Sequence, residues 1–193
     1  MISENKAYKG GGVCLYYNSA AKQTGGSIEN NVAVEGGGVY GGTYTMTGGV
    51  IKENNNSLTE EARLSTRGDG VYVGTAFNLG KAAEISTNND VYLEKGAREA
   101  KEGRYINVIS SYTGASTAKP IQIHSEDVTV EGAEIGTQLV RYTAVAGGTG
   151  GCKRYFRTKL ENAEGLGYWA EQSGRKDGLD DLCAIYQDSV SVG

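Results

Sequence analysis

The stretch SIENNVAVEGGGVY, residues 27–40, contains two tetrapeptides that recur along roughly the first half of this chain. One is Ile-x-x-Asn at residues 28–31, and the other is Gly-Gly-Gly-Val at residues 36–39, which Tyr40 follows. The first motif returns at residues 2–5, 51–54 and 85–88, and the glycine motif returns at 10–13 and, with Asp69 at its centre, at 68–71. Self-similarity with a period of about 20–50 residues indicates a solenoid.

Four isoleucines open the successive repeat units: Ile2, Ile28, Ile51 and Ile85. They are separated by 26, 23 and 34 residues, so the second unit has the basic length. The first unit contains three extra residues, which we place within residues 15–21, and the third contains a larger insertion at about residues 55–67. Ser57 and Glu60 in this insertion have the spacing of a capping box, which predicts a single helical turn.

Each unit contains three short apolar segments separated by glycine, threonine or asparagine. The third segment includes Tyr44 and Met46 in one unit and Phe77 and Leu79 in another. Segments this short and this rich in glycine favour strands of three to five residues over helices. Three strands per coil, stacked coil on coil, predict a parallel β-helix. Successive coils would lie about 4.8 Å apart, so that equivalent side chains stack in columns.

The asparagines of the repeats predict a corner of the solenoid: Asn5, Asn31, Asn54 and Asn88. Asparagine tolerates the left-handed backbone of a tight corner, and its amide can bond the equivalent amide in the next coil. A row of metal or sugar ligands is the alternative interpretation. Calcium needs several oxygens from one tight loop. Glu4 and Glu53 belong to coils that are not adjacent, so they do not form such a site. Thr43, Thr45 and Thr47 are interpreted as an outward strand face.

Composition excludes some function classes. The chain has 193 residues, 30 glycines, one proline and a formal net charge of −4, so it lacks the basic stripe expected of a general nucleic-acid binder. The sequence contains no apolar run of membrane-spanning length and no secretory signal at its start. Met1 is followed at once by the end of a repeat unit. We therefore expect an excised fragment, with more coils of the same polypeptide upstream.

The three cysteines, Cys14, Cys152 and Cys183, form neither a zinc pattern nor a disulfide framework. Cys14 occupies the position held by Tyr40 and Tyr72 in later units, which indicates a packing role. A bridge between Cys152 and Cys183 remains open. The single histidine, His124, is interpreted as a surface or end-of-strand residue because no second histidine or nearby cysteine accompanies it.

Beyond residue 105 the glycine motif stops, but apolar alternation continues. We interpret the segments beginning at Ile106, Ile121, Val128 and Gln138 as further, less regular coils. The predicted solenoid therefore covers residues 1–146, with regular repeats at 2–93 and irregular coils at 105–140. The glycine-rich residues 147–151 precede a predicted capping or accessory segment at 152–193.

This C-terminal segment differs in composition from the repeats. Residues 153–159 combine basic and aromatic side chains, a pattern that can bind single-stranded nucleic acid, although a half-exposed strand fits an acidic chain better. Residues 179–186 permit either a short helix or a strand. In both cases the segment is expected to cover the last coil and so protect its edge.

The alternation of residues 28–31, 36–39 and 51–54 resembles the repeats of the polymorphic outer-membrane-protein type of right-handed β-helix, which also recur in large surface proteins of gut and oral bacteria. This resemblance covers residues 2 to about 93. It implies a right-handed single-stranded parallel β-helix of pectin-lyase-like architecture. It also implies an extracellular or cell-surface location and binding to a host surface protein or a polysaccharide.

Two function classes follow from these patterns. The first is a non-catalytic adhesin or structural stalk, with no catalytic, cofactor-binding or metal-binding residues and no cofactor. The alternative is a polysaccharide lyase or glycosidase, which needs clustered carboxylates in a groove. Here the acidic pairs are scattered at residues 60–61, 126–127 and 180–181. The enzyme would require a groove lined by aromatic residues, for which the candidates are Tyr16, Tyr17, Tyr112 and Trp169.

Overall fold

A computed structural model shows an all-β chain built mainly from parallel strands. It describes residues 1–55, 67–94, 106–115, 119–125, 128–129, 132–133, 138–142, 156–158, 168–173 and 181–187. No helix occurs in these ranges. Thirteen strands belong to one hydrogen-bonded sheet, and two short strands form a separate pair. The predicted all-β class is therefore confirmed.

The strands are numbered in chain order. They are β1 (Ile2–Ser3), β2 (Val13–Glu29), β3 (Val39–Lys52), β4 (Val71–Val73), β5 (Ala76–Lys81), β6 (Glu84–Ile85), β7 (Asp90–Leu93), β8 (Ile106–Tyr112), β9 (Ile121–Ser125), β10 (Val128–Thr129), β11 (Gly132–Ala133), β12 (Gln138–Tyr142), β13 (Phe156–Thr158), β14 (Tyr168–Ser173) and β15 (Asp181–Gln187).

The repeat units pair in parallel, in the register that the sequence motifs predict. Ile2 pairs with Ile28, Ile28 with Ile51, and Ile51 with Ile85. The valines that follow the glycine motif pair in the same way, from Val13 through Val39 and Val71 to Val91. Alignment of the motifs therefore gives the correct strand register.

The insertion in the first unit also lies where its length predicts. Leu15 pairs with Gly41 and Ala20 with Thr43, so four residues of β2 lie opposite one residue of β3. This difference equals the three extra residues expected between positions 15 and 21. Pairing resumes from Ala20 to Gln23 and, after a one-residue shift at Thr24, returns to the same register at Ser27, so the insertion is absorbed locally.

The core consists of columns of apolar side chains contributed by successive units. One column holds Ile28, Ile51 and Ile85, and a second holds Tyr44, Phe77, Ile106 and Val140, all of them buried. Met46, Leu79 and Val108 form a third, also buried. Intervening residues such as Thr43, Thr45 and Thr47 are half-buried, which confirms that they lie on the outward strand face.

From β8 to β13, the strands continue the parallel stacking except for the pair β10 and β11. β8 pairs with β5 and β9 pairs with β7, while β12 and β13 extend these rows by pairing with β8 and β9. The prediction that the segment at Val128 forms another stacked coil is wrong. Val128 pairs antiparallel with Ala133, so this segment is half of a short hairpin. Its two strands are separated by only two residues, a distance that allows only an antiparallel return.

The final strands reverse the direction of pairing. β15 pairs antiparallel with β12 and with β14, so residues 181–187 are a strand and not a helix. Residue 152, with its possible bridge to Cys183, and the helical turn expected at residues 57–60 lie outside the described residues. Of the basic and aromatic cluster at 153–159, only the strand Phe156–Thr158 is described, and Phe156 is fully buried.

The glycine motif forms a corner at which neighbouring units approach closely. Gly36 has a φ of +64°, a left-handed conformation that favours glycine. A Cβ placed on Gly37 would lie 2.5 Å from the carbonyl oxygen of Asn55 and 2.6 Å from that of Asp69. Only glycine therefore allows the observed contact between the second and third units at this position.

The second corner corrects the assignment of left-handed backbone to the asparagine column. The left-handed residues are those before each asparagine: Glu4, Asn30 and Glu53, with φ of 60°, 55° and 53°. Asn5, Asn31 and Asn54 themselves do not have positive φ. The chain turns one residue earlier than predicted, which aims the asparagine amide along the column.

Burial of Tyr44 predicts that the fold loses stability in alkali. Tyr44 is buried, its hydroxyl donates to Gln23 Oε1 at 2.7 Å, and burial raises the pKa of its phenol above the usual value. Above the unfolded-state pKa of about 10, the unfolded chain releases this proton while the folded chain retains it, so the free energy of unfolding falls as pH rises. We expect denaturant midpoints to decline above about pH 10.

The variant Tyr44→Phe is the control for this prediction. It cannot ionise, so its midpoint should decline less steeply with pH than that of the parent chain. Equal slopes for the two proteins between about pH 10 and pH 12 would contradict the assignment.

Candidate functional site

The asparagine corner is a continuous ladder of amide hydrogen bonds. Asn31 Oδ1 accepts from the backbone N–H and the Nδ2 of Asn5, at 3.1 and 2.9 Å. Asn54 Oδ1 accepts the same pair of bonds from Asn31, and Asn89 Oδ1 accepts them from Asn54. Asn54 Nδ2 also donates to the carbonyl oxygen of Ile28, in the preceding unit, at 2.9 Å. Asn31 and Asn89 likewise donate to backbone carbonyl oxygens of the units before them.

The fourth member of the ladder is Asn89, so the prediction of Asn88 is wrong. The last unit has one more residue between its isoleucine and the corner than the earlier units have. Asn88 is exposed and bonds locally to Ser86, whereas Asn89 is buried and bonds both the side chain and the carbonyl oxygen of Asn54. The ladder itself, with amides bonded between neighbouring units, is confirmed.

The ladder leaves its inner amides no spare capacity for a ligand. Asn31, Asn54 and Asn89 are each at most 5 % exposed, and their amide groups bond neighbouring units. A buried amide satisfied in this way stabilises the corner, because an unpaired one would carry a desolvation penalty. The arrangement favours the structural interpretation over a metal or sugar ligand row.

A second column, which we call the aromatic column, consists of Tyr40, Tyr72, Tyr92 and His124. Ring centroids of Tyr40 and Tyr72 are 4.7 Å apart, and those of Tyr72 and Tyr92 are 5.2 Å apart. His124 meets Tyr92 edge-on at 5.0 Å. Cys14 holds the same register position in the first unit, as expected, and is a half-buried free thiol. His124 lies within a strand and not at its end.

Charged residues of alternating sign precede the glycine motif and form an ionic column: Lys9, Glu35 and Arg67. Lys9 Nζ lies 3.0 Å from Glu35 Oε2, and Arg67 Nη1 lies 3.1 Å from Glu35 Oε1. Lys9 Nζ also donates to the Tyr40 hydroxyl at 2.7 Å and lies 4.5 Å from the Tyr40 ring centroid. The ionic and aromatic columns therefore meet at Tyr40.

The chemistry of this junction suits binding or packing more than acid–base catalysis. Hydrogen bonds to the Tyr40 hydroxyl and to Glu35 hold the pKa of the Lys9 ammonium above its usual range. A nucleophilic or general-base lysine needs a pKa lowered towards neutrality. Lys9 is thus a permanent cation at neutral pH, placed to stabilise the end of the aromatic column.

Tyr72 is the central member of the aromatic column, and we predict a large cost for its removal. Tyr72 is 4 % exposed and lies between two other rings. Substituting alanine should lower the free energy of unfolding by about 3–4 kcal/mol through lost burial and ring contacts. Tyr8, which is 67 % exposed, is the matched control, and Tyr8→Ala should change it by less than about 0.5 kcal/mol. Urea unfolding of both variants checks this, and equal midpoints would contradict it.

Of the aromatic residues proposed to line a groove, the two with described side chains, Tyr16 and Tyr112, differ in exposure and do not share a surface. Tyr16 is 62 % exposed, but Tyr112 is buried and stacks on Phe156 with centroids 6.4 Å apart. The side chains of Tyr17 and Trp169 lie outside the described set, as do the acidic pairs at residues 60–61, 126–127 and 180–181. Tyr112 is therefore a core residue and cannot face a groove.

Some features of these columns were visible in the sequence and were missed. The ionic column follows from the residue that immediately precedes each glycine motif, since Lys9, Glu35 and Arg67 have the same offset. His124 follows Ile123 as Tyr92 follows Val91, which places it in the aromatic column. The alternation of apolar and polar residues in β9 places His124 on the outward face, but the register between β7 and β9 is what pairs it with Tyr92.

The described ranges contain neither a cluster of metal-binding side chains nor a candidate membrane-spanning helix. There, no three residues among His, Cys, Asp and Glu are grouped so as to hold a metal ion. Within the same ranges, no helix is long and apolar enough to cross a membrane. Comparison of the chain with protein-family models, curated proteins and solved structures finds no match.

Proposed function

We propose that this chain is a right-handed parallel β-helix that serves as a non-catalytic stalk or adhesin segment on a bacterial surface or in a secreted protein. The solenoid would comprise residues 1–146, and residues 152–193 would cap it. The parallel register of the repeat units and the shared columns support the solenoid. Handedness and location rest on the resemblance of the repeats to bacterial surface proteins.

One observation carries the non-catalytic assignment. Side chains that could perform chemistry bond or stack on the equivalent side chains of neighbouring units, as Asn31, Asn54, Tyr72 and Glu35 do. Such contacts extend along the direction of stacking and stiffen a repeat array, in which each unit contacts only its neighbours. This use of polar side chains is what a stalk requires.

Exposed aromatics of the first unit offer the best candidate contacts for a saccharide. Tyr8 and Tyr16 are 67 % and 62 % exposed, and tyrosine combines an apolar face with a polar edge. An aromatic face can stack on the apolar face of a sugar ring, which fits the proposed polysaccharide ligand. A host surface protein is the second proposed class of partner.

A binding and turnover experiment tests this proposal. The purified chain should bind one class of glycan on an array, without releasing reducing ends or unsaturated uronates from that glycan over a day. Tyr8→Ala and Tyr16→Ala should each weaken binding by about threefold to tenfold, while Lys22→Ala, an exposed non-aromatic control, should not.

The alternative is a polysaccharide lyase or glycosidase, and the same experiment separates it from the stalk. Release of sugar products by the parent chain would establish the enzyme and overturn the non-catalytic proposal. If the chain shows saturable binding to no glycan and to no host-cell surface protein, the adhesin assignment is overturned.

A further inference from the structure

A second ladder of hydrogen bonds runs across the outward face of β3, β5 and β8. Its members are Thr45, Asn78 and Asn107, which pair in register and are half-buried. Asn78 Nδ2 donates to Thr45 Oγ1 at 3.1 Å, and Asn107 Nδ2 donates to Asn78 Oδ1 at 3.2 Å. We call these three residues the outer ladder. It lies within the stack, because β2 pairs with β3 on one side and β12 pairs with β8 on the other.

The outer ladder retains hydrogen-bonding capacity that the asparagine corner lacks. At the corner, Asn54 Oδ1 accepts two hydrogen bonds and its Nδ2 donates two. Among the described residues, Asn78 makes one bond through each of these atoms, which leaves it one N–H and one acceptor position. The hydroxyl hydrogen of Thr45 and one N–H of Asn107 are likewise uncommitted among the described residues. Because these side chains are half-buried and face outward, a ligand on this face can reach the remaining groups.

The remaining donors and acceptors match the hydroxyl groups of a saccharide. A hydroxyl both donates and accepts, so an amide with one uncommitted N–H and one uncommitted acceptor position can bond two neighbouring hydroxyls of a sugar ring. Paired strands repeat such an amide or hydroxyl at the strand spacing of about 4.8 Å. A linear polysaccharide also repeats its hydroxyls along one direction. The row of three members therefore suits a linear polymer better than a single sugar.

The charge of this face selects among polysaccharides. The half-buried outward residues of β3, β5 and β8 that surround and form the outer ladder are uncharged: Thr43, Thr45, Thr47, Ala76, Asn78, Asn107 and Ile109. Two exposed lysines lie at the margins, Lys22 in β2 and Lys81 at the end of β5. An uncharged row supplies no cation to a carboxylate laid along it, and desolvating an unpaired charge is costly. The face therefore complements an uncharged polymer.

We infer that the outer ladder is a binding face for an uncharged linear polysaccharide. The polymer would lie along the direction in which the units stack. Its hydroxyls would bond the uncommitted amide groups of Asn78 and Asn107 and the hydroxyl of Thr45. This inference rests on the proposed polysaccharide ligand. It adds the chemical class of that ligand and a contact face different from the exposed tyrosines of the first unit.

Isothermal titration calorimetry of the full chain tests this face with neutral oligosaccharides of glucose, xylose and mannose and with anionic oligogalacturonate. At least one neutral oligosaccharide should bind saturably, at least about tenfold more tightly than oligogalacturonate, and salt should not change its affinity. Thr45→Val and Asn78→Ala should each weaken binding by about fivefold to tenfold. Asn88→Ala removes an exposed amide at the corner and is the matched control, which should bind as the parent does.

Thr45→Val keeps the shape of the side chain, so it carries the test if circular dichroism shows that Asn78→Ala is unfolded. Equal affinities of the parent and the folded ladder variants would overturn the binding face. Tighter binding of oligogalacturonate, or weaker binding of the neutral ligand by Lys22→Ala, would overturn the uncharged class. These results leave the adhesin proposal standing. Binding of no oligosaccharide would overturn the inference and also remove the polysaccharide from the proposed function.

Discussion

Replacing Asn54 with leucine is expected to lower the free energy of unfolding by about 3–5 kcal/mol. Asn54 is 5 % exposed, and its amide bonds three other residues of the corner: Ile28, Asn31 and Asn89. Leucine has a similar volume but leaves buried donors and acceptors without partners on both sides. Each such group costs about 1–3 kcal/mol, so the loss exceeds that of one exposed hydrogen bond.

Neighbouring asparagines in the fourth unit supply a matched pair of controls. Asn89→Leu should be costly for the same reason as Asn54→Leu, because its amide is the next member of the ladder. Asn88→Leu should change the unfolding free energy by less than about 0.5 kcal/mol, since Asn88 is exposed. Urea denaturation followed by circular dichroism measures all three. A costly Asn88 substitution with a silent Asn89 substitution would show that the ladder is assigned to the wrong residue.

Gly37→Ala should strongly destabilise the contact between the second and third units. The new Cβ would lie 2.5 and 2.6 Å from two backbone carbonyl oxygens of the third unit, which cannot rotate away as a side chain can. The two units must separate locally, which stretches adjacent bonds such as that from the Gly38 N–H to the carbonyl oxygen of Asp69. We expect a loss of about 3 kcal/mol in the free energy of unfolding.

Gly25 is the matched control for this substitution. A Cβ on Gly25 has nothing within 4 Å, and Gly25 does not have a positive φ. Gly25→Ala should therefore be neutral, or stabilising by up to about 1 kcal/mol through the unfolded state. Thermal unfolding of both variants distinguishes a steric effect from a general effect of adding a methyl group. Equal melting temperatures would contradict the close approach of units at Gly37.

Most of the sheet register followed from the sequence because the repeats specify it. The isoleucines and valines that open equivalent strands are adjacent in space, and the three-residue insertion lies between Leu15 and Ala20. These features depend on motif spacing, which survives in a sequence. The periodic apolar positions also predict that Tyr44 and Phe77 are core residues, and both are buried.

Predictions failed where a single residue decides the local geometry. Spacing from Ile85 selects Asn88, but one extra residue delays the corner to Asn89. Left-handed backbone falls on Glu53 and not on Asn54, although asparagine has the stronger preference for it. In both cases the hydrogen bond from the amide to the neighbouring unit outweighs the local preference, and motif spacing does not reveal that bond.

The candidate site was less predictable than the fold. Tyr112 reads as a possible groove residue because tyrosine is often half-exposed, but the parallel pairing of β8 buries it against Phe156, 44 residues later in the chain. His124 looked isolated because its stacking partner, Tyr92, is 32 residues away. Predicting contacts between units this far apart requires the strand register. Motif spacing specifies that register less well where the repeats become irregular.

Disulfide mapping tests the stacked register of the repeats most directly. Thr45 and Asn78 are paired in adjacent units, face outward and are bonded through Asn78 Nδ2 and Thr45 Oγ1 at 3.1 Å. In a background with the native cysteines replaced by serine, Thr45→Cys with Asn78→Cys should form a disulfide under mild oxidation. Thr43→Cys with Asn78→Cys, two residues out of register, should remain reduced, because Cα atoms more than about 7 Å apart cannot be bridged without backbone movement. Mass spectrometry of tryptic peptides reads out both pairs, and a bridge in the second pair without one in the first would contradict the stacked register.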